Sequence, residues 1–151
     1  MKKDIFIDTN IACNFANPMD KNYKDLIAWL NDDHEIKSGQ TDDRAYLVVS
    51  KKLLQEYCAS LPVLVARLQQ SNRLVVVTNQ QISDFKNAHF KKSIVNKMQS
   101  NSEDREHIPV ALFSERKFVL TNDGKFAHDL NLFPGFSVTC SNRPEKIPYR
   151  N

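Results

Sequence analysis

The sequence predicts an α/β protein: a parallel sheet of four to five strands flanked by helices on both faces. Two observations carry that prediction. Short β-type runs alternate along the chain with stretches of helical periodicity, and several of the runs are apolar at every position rather than every second one. Alternation marks a strand with one wet face, whereas a continuous apolar run marks a strand covered on both.

The first run, residues 4–7 (Asp-Ile-Phe-Ile), ends at Asp8-Thr9-Asn10, a polar cluster suited to capping a helix. Leu26, Ile27, Trp29 and Leu30 then carry helical spacing from Tyr23 onward, before an acidic loop around Asp32 and Asp33. A second strand is expected at 45–49, with Ser50 as N-cap of a helix through Leu53, Leu54, Tyr57 and Cys58. Pro62 stands early in the next helix, where a missing N–H is tolerated.

A third strand is expected at 74–77, followed by weakly patterned helical segments to about Ser100 and another helix to about Glu115. A fourth strand follows at 118–120, then a short helix after Gly124 and a last strand at 136–138. The segment 142–151, with Pro144 and Pro148, reads as an extended tail to a domain spanning 1–141. Neither an internal repeat nor a low-complexity tract breaks the pattern.

Composition narrows the function classes. With 151 residues, 41% of them hydrophobic and 26% charged, the chain has ordinary globular content. It carries no apolar stretch long enough to span a bilayer. Asp4 and Asp8 interrupt the apolar residues after Met-Lys-Lys, which argues against a secretory signal. Cys13, Cys58 and Cys140 are odd in number and widely spaced, so they fit neither a disulfide framework nor a zinc motif. A reducing, cytoplasmic compartment is the simpler reading. Only three glycines occur, and no Gly-rich loop is present to cradle phosphates.

The net charge of +3 and pI near 8.7 say little by themselves. Basic segments at Lys51-Lys52, from Lys86 through Lys91 and Lys92 to Lys97, and at Arg143, Lys146 and Arg150 are compatible with a polyanionic partner. Each is equally compatible with a solvated surface.

The acids carry more. In an open α/β sheet, ligands bind beyond the carboxyl ends of the strands. Asp8 directly follows the first strand and Asp123 the fourth, in Thr121-Asn122-Asp123-Gly124, so both are expected at one edge. Glu56 lies on the helix after the second strand, at the border of its apolar stripe. Asp104 opens the helix before the fourth strand, on the side of Ile108, Ala111 and Leu112. Taken singly each acid is an ordinary cap, turn or surface residue. Jointly placed they would repel one another unless a cation neutralised them, and hard oxygen donors point to Mg²⁺ or Mn²⁺.

These residues resemble the PIN domain family. Asp-Ile-Phe-Ile-Asp-Thr-Asn (4–10) looks like that family's opening strand and acid. Leu47-Val48-Val49-Ser50 followed by Leu53-Leu54-Gln55-Glu56-Tyr57 resembles its second motif, a strand and then a helix bearing Glu. Residues 104–112 resemble the third, an Asp opening an apolar helix, and residues 118–123 the fourth. Order and spacing match from residue 4 to about 138.

The resemblance implies a PIN-like parallel sheet and a divalent-metal site built from Asp8, Glu56, Asp104 and Asp123. Thr9, Asn10 and Thr121 would support the carboxylates. It implies an endoribonuclease that hydrolyses RNA phosphodiesters by in-line attack of a metal-activated water, without a covalent enzyme intermediate. Small stand-alone PIN domains are often toxins of bacterial toxin–antitoxin pairs and commonly dimerise, so an antitoxin or defence-system protein and a second copy are the partners implied. Lys91 and Lys92 are candidates for phosphate contacts.

The chain departs from the pattern at Pro109, inside the third motif's helix, where it would kink the chain or force Asp104 onto a separate first turn. That irregularity motivates the alternative, a non-catalytic binding or scaffold module with a degenerate site. The long polar stretch 31–44 is a candidate mobile loop near the site.

A phosphatase of the haloacid dehalogenase type also sets an Asp after strand one, but needs a second Asp where this chain has Asn10. The histidines 34, 89, 107 and 128 lack metal-ligand spacing; His107, three residues from Asp104, is a candidate to assist near the site but reads first as a packing or surface residue. Cys13 reads as a buried thiol. Phe6, Phe118, Phe126 and Phe136 fall in or beside core elements, which disfavours base stacking on them.

Overall fold

A computed structural model describes residues 1–16, 19–57 and 61–151. Five strands form one all-parallel sheet: β1 (Lys3–Ile7), β2 (Ala45–Val49), β3 (Leu74–Val76), β4 (Phe118–Leu120) and β5 (Thr139–Ser141). Their order across the sheet is β3-β2-β1-β4-β5. Every residue of β2 is buried, as are four of the five in β1. Side chains of a strand alternate between faces, so such burial requires helices on both.

The first half of the chain supplies α1 (Thr9–Ala12), α2 (Lys24–Asn31), α3 (Lys51–Tyr57) and α4 (Pro62–Gln70). Ser50 caps α3 by accepting from Leu53 N at 3.1 Å, and Pro62 occupies the first turn of α4. Cys58, expected at the end of α3, lies outside the described residues. The crossover from β3 to β4 holds α5 (Asn79–His89), α6 (Lys92–Val95), α7 (Ser102–Arg105) and α8 (His107–Phe113). Pro109 has the effect expected of it. It offers no N–H to the carbonyl of Arg105 and its ring crowds that carbonyl, so α7 and α8 break at Glu106 and Asp104 sits on its own short turn. The last helix, α9 (Gly124–Leu130), follows β4.

The final strand is not where apolar content suggested. Residues 136–138 do not pair; the ladder begins at Thr139, against Phe118. Phe136 instead joins an aromatic cluster, its ring 5.5 Å from Phe85 and 5.2 Å from His89. β5 is an edge strand, only partly buried, and needs no apolar run. The reading of Cys13 as buried is likewise corrected: its side chain is exposed. The tail is not wholly extended, since Pro144–Lys146 form a 3₁₀ turn. It runs back along α2, with Tyr149 buried and stacked on Trp29 at 5.0 Å. The stretch 31–44 is pinned by ion pairs of Arg44 with Asp42 and Asp33 and by hydrogen bonds between His34 and the carboxylates of Asp32 and Asp43. Among the described residues no helix is long and apolar enough to cross a membrane.

Candidate functional site

The strand order creates one topological switch point. From β1 the chain steps outward to β2 and β3, then crosses to the other side of β1 for β4 and β5. The loops after β1 and β4 therefore diverge, opening a crevice at the carboxyl ends of those two strands. Asp8 and Asp123 stand at that crevice.

Asp8 continues the ladder, its N–H donating to Leu120 O at 2.8 Å, and it caps α1. Its Oδ1 accepts from Thr9 N at 2.8 Å; its Oδ2 accepts from Thr121 Oγ1 at 2.7 Å and Asn10 Nδ2 at 3.3 Å. Burial raises its carboxyl above the ordinary range, and these donors do not fully offset the lost solvation. Thr121 also joins the two strand ends, accepting from Asp123 N at 3.0 Å through the same oxygen. Asp123 caps α9 with Oδ1, bonding Lys125 N at 2.9 Å and Phe126 N at 3.3 Å. Its Oδ2 has no hydrogen bond among the described residues.

Glu56 reaches in from α3. Its Oε2 accepts from Thr9 Oγ1 at 2.9 Å, and its Oε1 lies 3.1 Å from His107 Nε2. Thr9 thus ties Glu56 to the Asp8 turn: its amide serves one carboxylate and its hydroxyl the other. His107 is buried and its Nδ1 has no hydrogen-bond partner among the described residues. The carboxylate needs a donor, so the proton is assigned to Nε2. A packing role is only half of what His107 does: it holds Glu56. The signal in the sequence was its position at the head of His-Ile-Pro-Val-Ala-Leu, where a polar group enters the core only with a partner.

Asp104 is the loosest corner. Its amide is capped by Asn101 Oδ1 at 2.9 Å, and its side chain is half-buried. Desolvation, then the charges of Asp123 and Glu56, push its carboxyl up. Asp104 also adds to the rise at Asp8. The four acids therefore share one electrostatic neighbourhood. Asp104 and Asp123 line an open cleft of about 750 Å³ with Gln99, Asn101, Asn122 and Lys125.

Lys91 and Lys92 are exposed at the start of α6 and line none of this cleft. Cations near the acids include Lys125, in the wall, and Lys52, which donates to Glu103 O at 3.1 Å and opposes the rise at Asp104.

The donor set, carboxylate oxygens backed by Thr, Asn and His, suits a hard divalent cation. Two of its members carry raised carboxyls that positive charge would relieve. Among the described residues, however, no three His, Cys, Asp or Glu side chains are gathered tightly enough to hold a metal ion. The acids match such a cation in donor chemistry and share one neighbourhood, but are not drawn together into a metal-binding cluster. No family model, curated protein or solved structure matches the chain.

Proposed function

We propose that the protein is a divalent-metal-dependent nuclease of the PIN type that hydrolyses RNA phosphodiester bonds. One observation carries the reading. Four acids scattered over 116 positions, selected by their order along the chain, fall within one electrostatic neighbourhood about the crevice of the sheet. Asp8, Glu56, Asp104 and Asp123 are the residues that would hold Mg²⁺ or Mn²⁺. When bound, the cation would supply charge for the departing oxygen and lower the pKa of water.

The chain's own groups prepare that site. Thr121 and Asn10 fix one oxygen of Asp8. Thr9 and His107 fix both oxygens of Glu56. Asp123 keeps one oxygen without a protein donor among the described residues. Asp104 is carried on a single helical turn. A nuclease of this type fits the role of a toxin held by an antitoxin or a defence-system partner.

Asp8→Asn is expected to abolish Mn²⁺-dependent cleavage of RNA and to relieve growth arrest on expression. Asn caps a helix about as well as Asp, so the melting temperature should stay within the equivalent of about 1 kcal/mol. Undiminished cleavage by the folded variant would sink the reading. A second reading, a binding module with a degenerate site, is favoured by the ungathered ligands. It predicts no melting-temperature rise on adding Mn²⁺, whereas the nuclease reading predicts a rise that Asp8→Asn removes.

A further inference from the structure

A second cleft, of about 360 Å³, adjoins the one described. Its walls include Thr121, Asn122, Asp123 and Gly124 together with Arg143 and Lys146. Asn122, Asp123 and Gly124 line both clefts, so the two share a wall at the candidate acid. Both are open to solvent rather than enclosed. An enclosed site would suit a mononucleotide; an open trough lets a strand enter at one end and leave at the other.

The charges are ordered along that trough. Lys125 lines the first cleft and Arg143 and Lys146 the second, with Asp123 in the wall common to both. Among the described residues none of these three side chains has a hydrogen bond or carboxylate partner. Two arginines at the opposite edge differ: Arg44 pairs with Asp42, and Arg150 with Asp32. Topology explains the placement, because Arg143 follows β5 and so emerges at the same carboxyl edge as Asp8 and Asp123. Among the described residues no aromatic side chain lines either cleft, which leaves phosphate rather than base as the group gripped.

We propose that the two clefts form one trough for single-stranded RNA. Arg143 and Lys146 hold phosphates on one side of Asp123, and Lys125 holds them on the other. The inference rests on the nuclease reading in setting the cleavable bond beside Asp123. It replaces Lys91 and Lys92 as the phosphate grip.

The test is fluorescence anisotropy with a labelled short oligoribonucleotide, in EDTA so that cutting plays no part. Arg143→Glu/Lys146→Glu is compared with Lys2→Glu/Lys37→Glu, which changes net charge equally at the other edge of the sheet. The trough predicts at least about a tenfold loss for the first pair, with the salt slope falling by roughly 1.4, as two lost phosphate contacts require. Arg143→Lys/Lys146→Arg should restore most of the binding. Equal losses in the two pairs, or no binding by the wild-type protein at low salt, would overturn the proposal. Metal-dependent cleavage is assayed in parallel. Wild-type cleavage with an unchanged KM in Arg143→Glu/Lys146→Glu defeats the trough and spares the nuclease reading. Selective loss of binding without wild-type cleavage defeats the nuclease reading and leaves the trough as a binding site.

Discussion

His107 offers the sharpest view at the scale of a single residue. A buried imidazole with one unpartnered nitrogen is costly unless its other nitrogen is well used, and here that nitrogen faces Glu56 Oε1. The bond fixes which way the Glu56 carboxylate turns, and Thr9 fixes the other oxygen. His107→Phe removes the donor while keeping a ring in the core. Groups that orient a metal ligand typically contribute 10- to 100-fold in affinity, so the Mn²⁺ midpoint in a thermal-shift titration should rise by about that factor. His107→Gln, which keeps an N–H donor, should recover a large part of it. Equal midpoints for the Phe variant and the wild type would make His107 a packing residue only.

At the scale of the element, α7 governs Asp104. Its entry is held by Asp129, wholly buried, which accepts from Gln99 N and Ser100 N at 2.9 Å each and pairs with His128 Nδ1. Burial alone would raise the Asp129 carboxyl, but the bonds from His128, Ser100 and Gln99 together outweigh it and bring it below the ordinary range. A carboxyl lower in the folded state stabilises the fold above its unfolded pKa, near 3.9, and loses that contribution as pH falls through the folded value. Melting temperature should therefore drop as pH falls below about 4, and Asp129→Ala should flatten that slope. The same variant leaves two amides without acceptors and should lose about 2–4 kcal/mol at neutral pH in denaturant unfolding. The break between α7 and α8 was legible in the sequence because Pro109 dictates it locally. So were the continuous apolar runs of β1 and β2, whose burial on both faces leaves no alternative period. β5 was not: an edge strand of Thr-Cys-Ser has no apolar signature, and Phe136 nearby had one for a different reason. Nor could local pattern reveal that Glu56 and His107, 51 positions apart, would meet, since only tertiary packing sets that distance.

Across the whole molecule, the two edges of the sheet carry different sets of polar groups. The carboxyl edge holds acids with raised carboxyls and, among the described residues, cations without a carboxylate partner. The amino edge holds acids bound to partners: Asp4 accepts from Ser114 Oγ, Glu115 N and Arg116 N, and Asp42 binds Arg44 and Tyr46. The tail joins one edge to the other. It leaves β5 beside the candidate trough, supplies Arg143 and Lys146, and ends where Lys3 Nζ meets Arg150 O. Tyr149 is its anchor, stacked on Trp29, its carbonyl accepting from Arg116 Nη1 at 2.8 Å and its hydroxyl bonding Pro144 O. Arg116 in turn lies over the rings of Trp29 and Phe118, 5.2 and 4.3 Å from their centroids. Truncating a buried aromatic of this kind costs about 3–5 kcal/mol. Tyr149→Ala should thus lower the melting temperature by roughly 10 °C, given about 2–4 °C per kcal/mol for a chain of this size. Loosening the tail should also move Arg143 and Lys146, so the variant should bind oligoribonucleotide more weakly even well below its melting temperature. Deleting Asn151, which is exposed, should change neither. If Tyr149→Ala melts early yet binds as tightly as the wild type, the tail is a structural strap whose cations do not depend on its anchor.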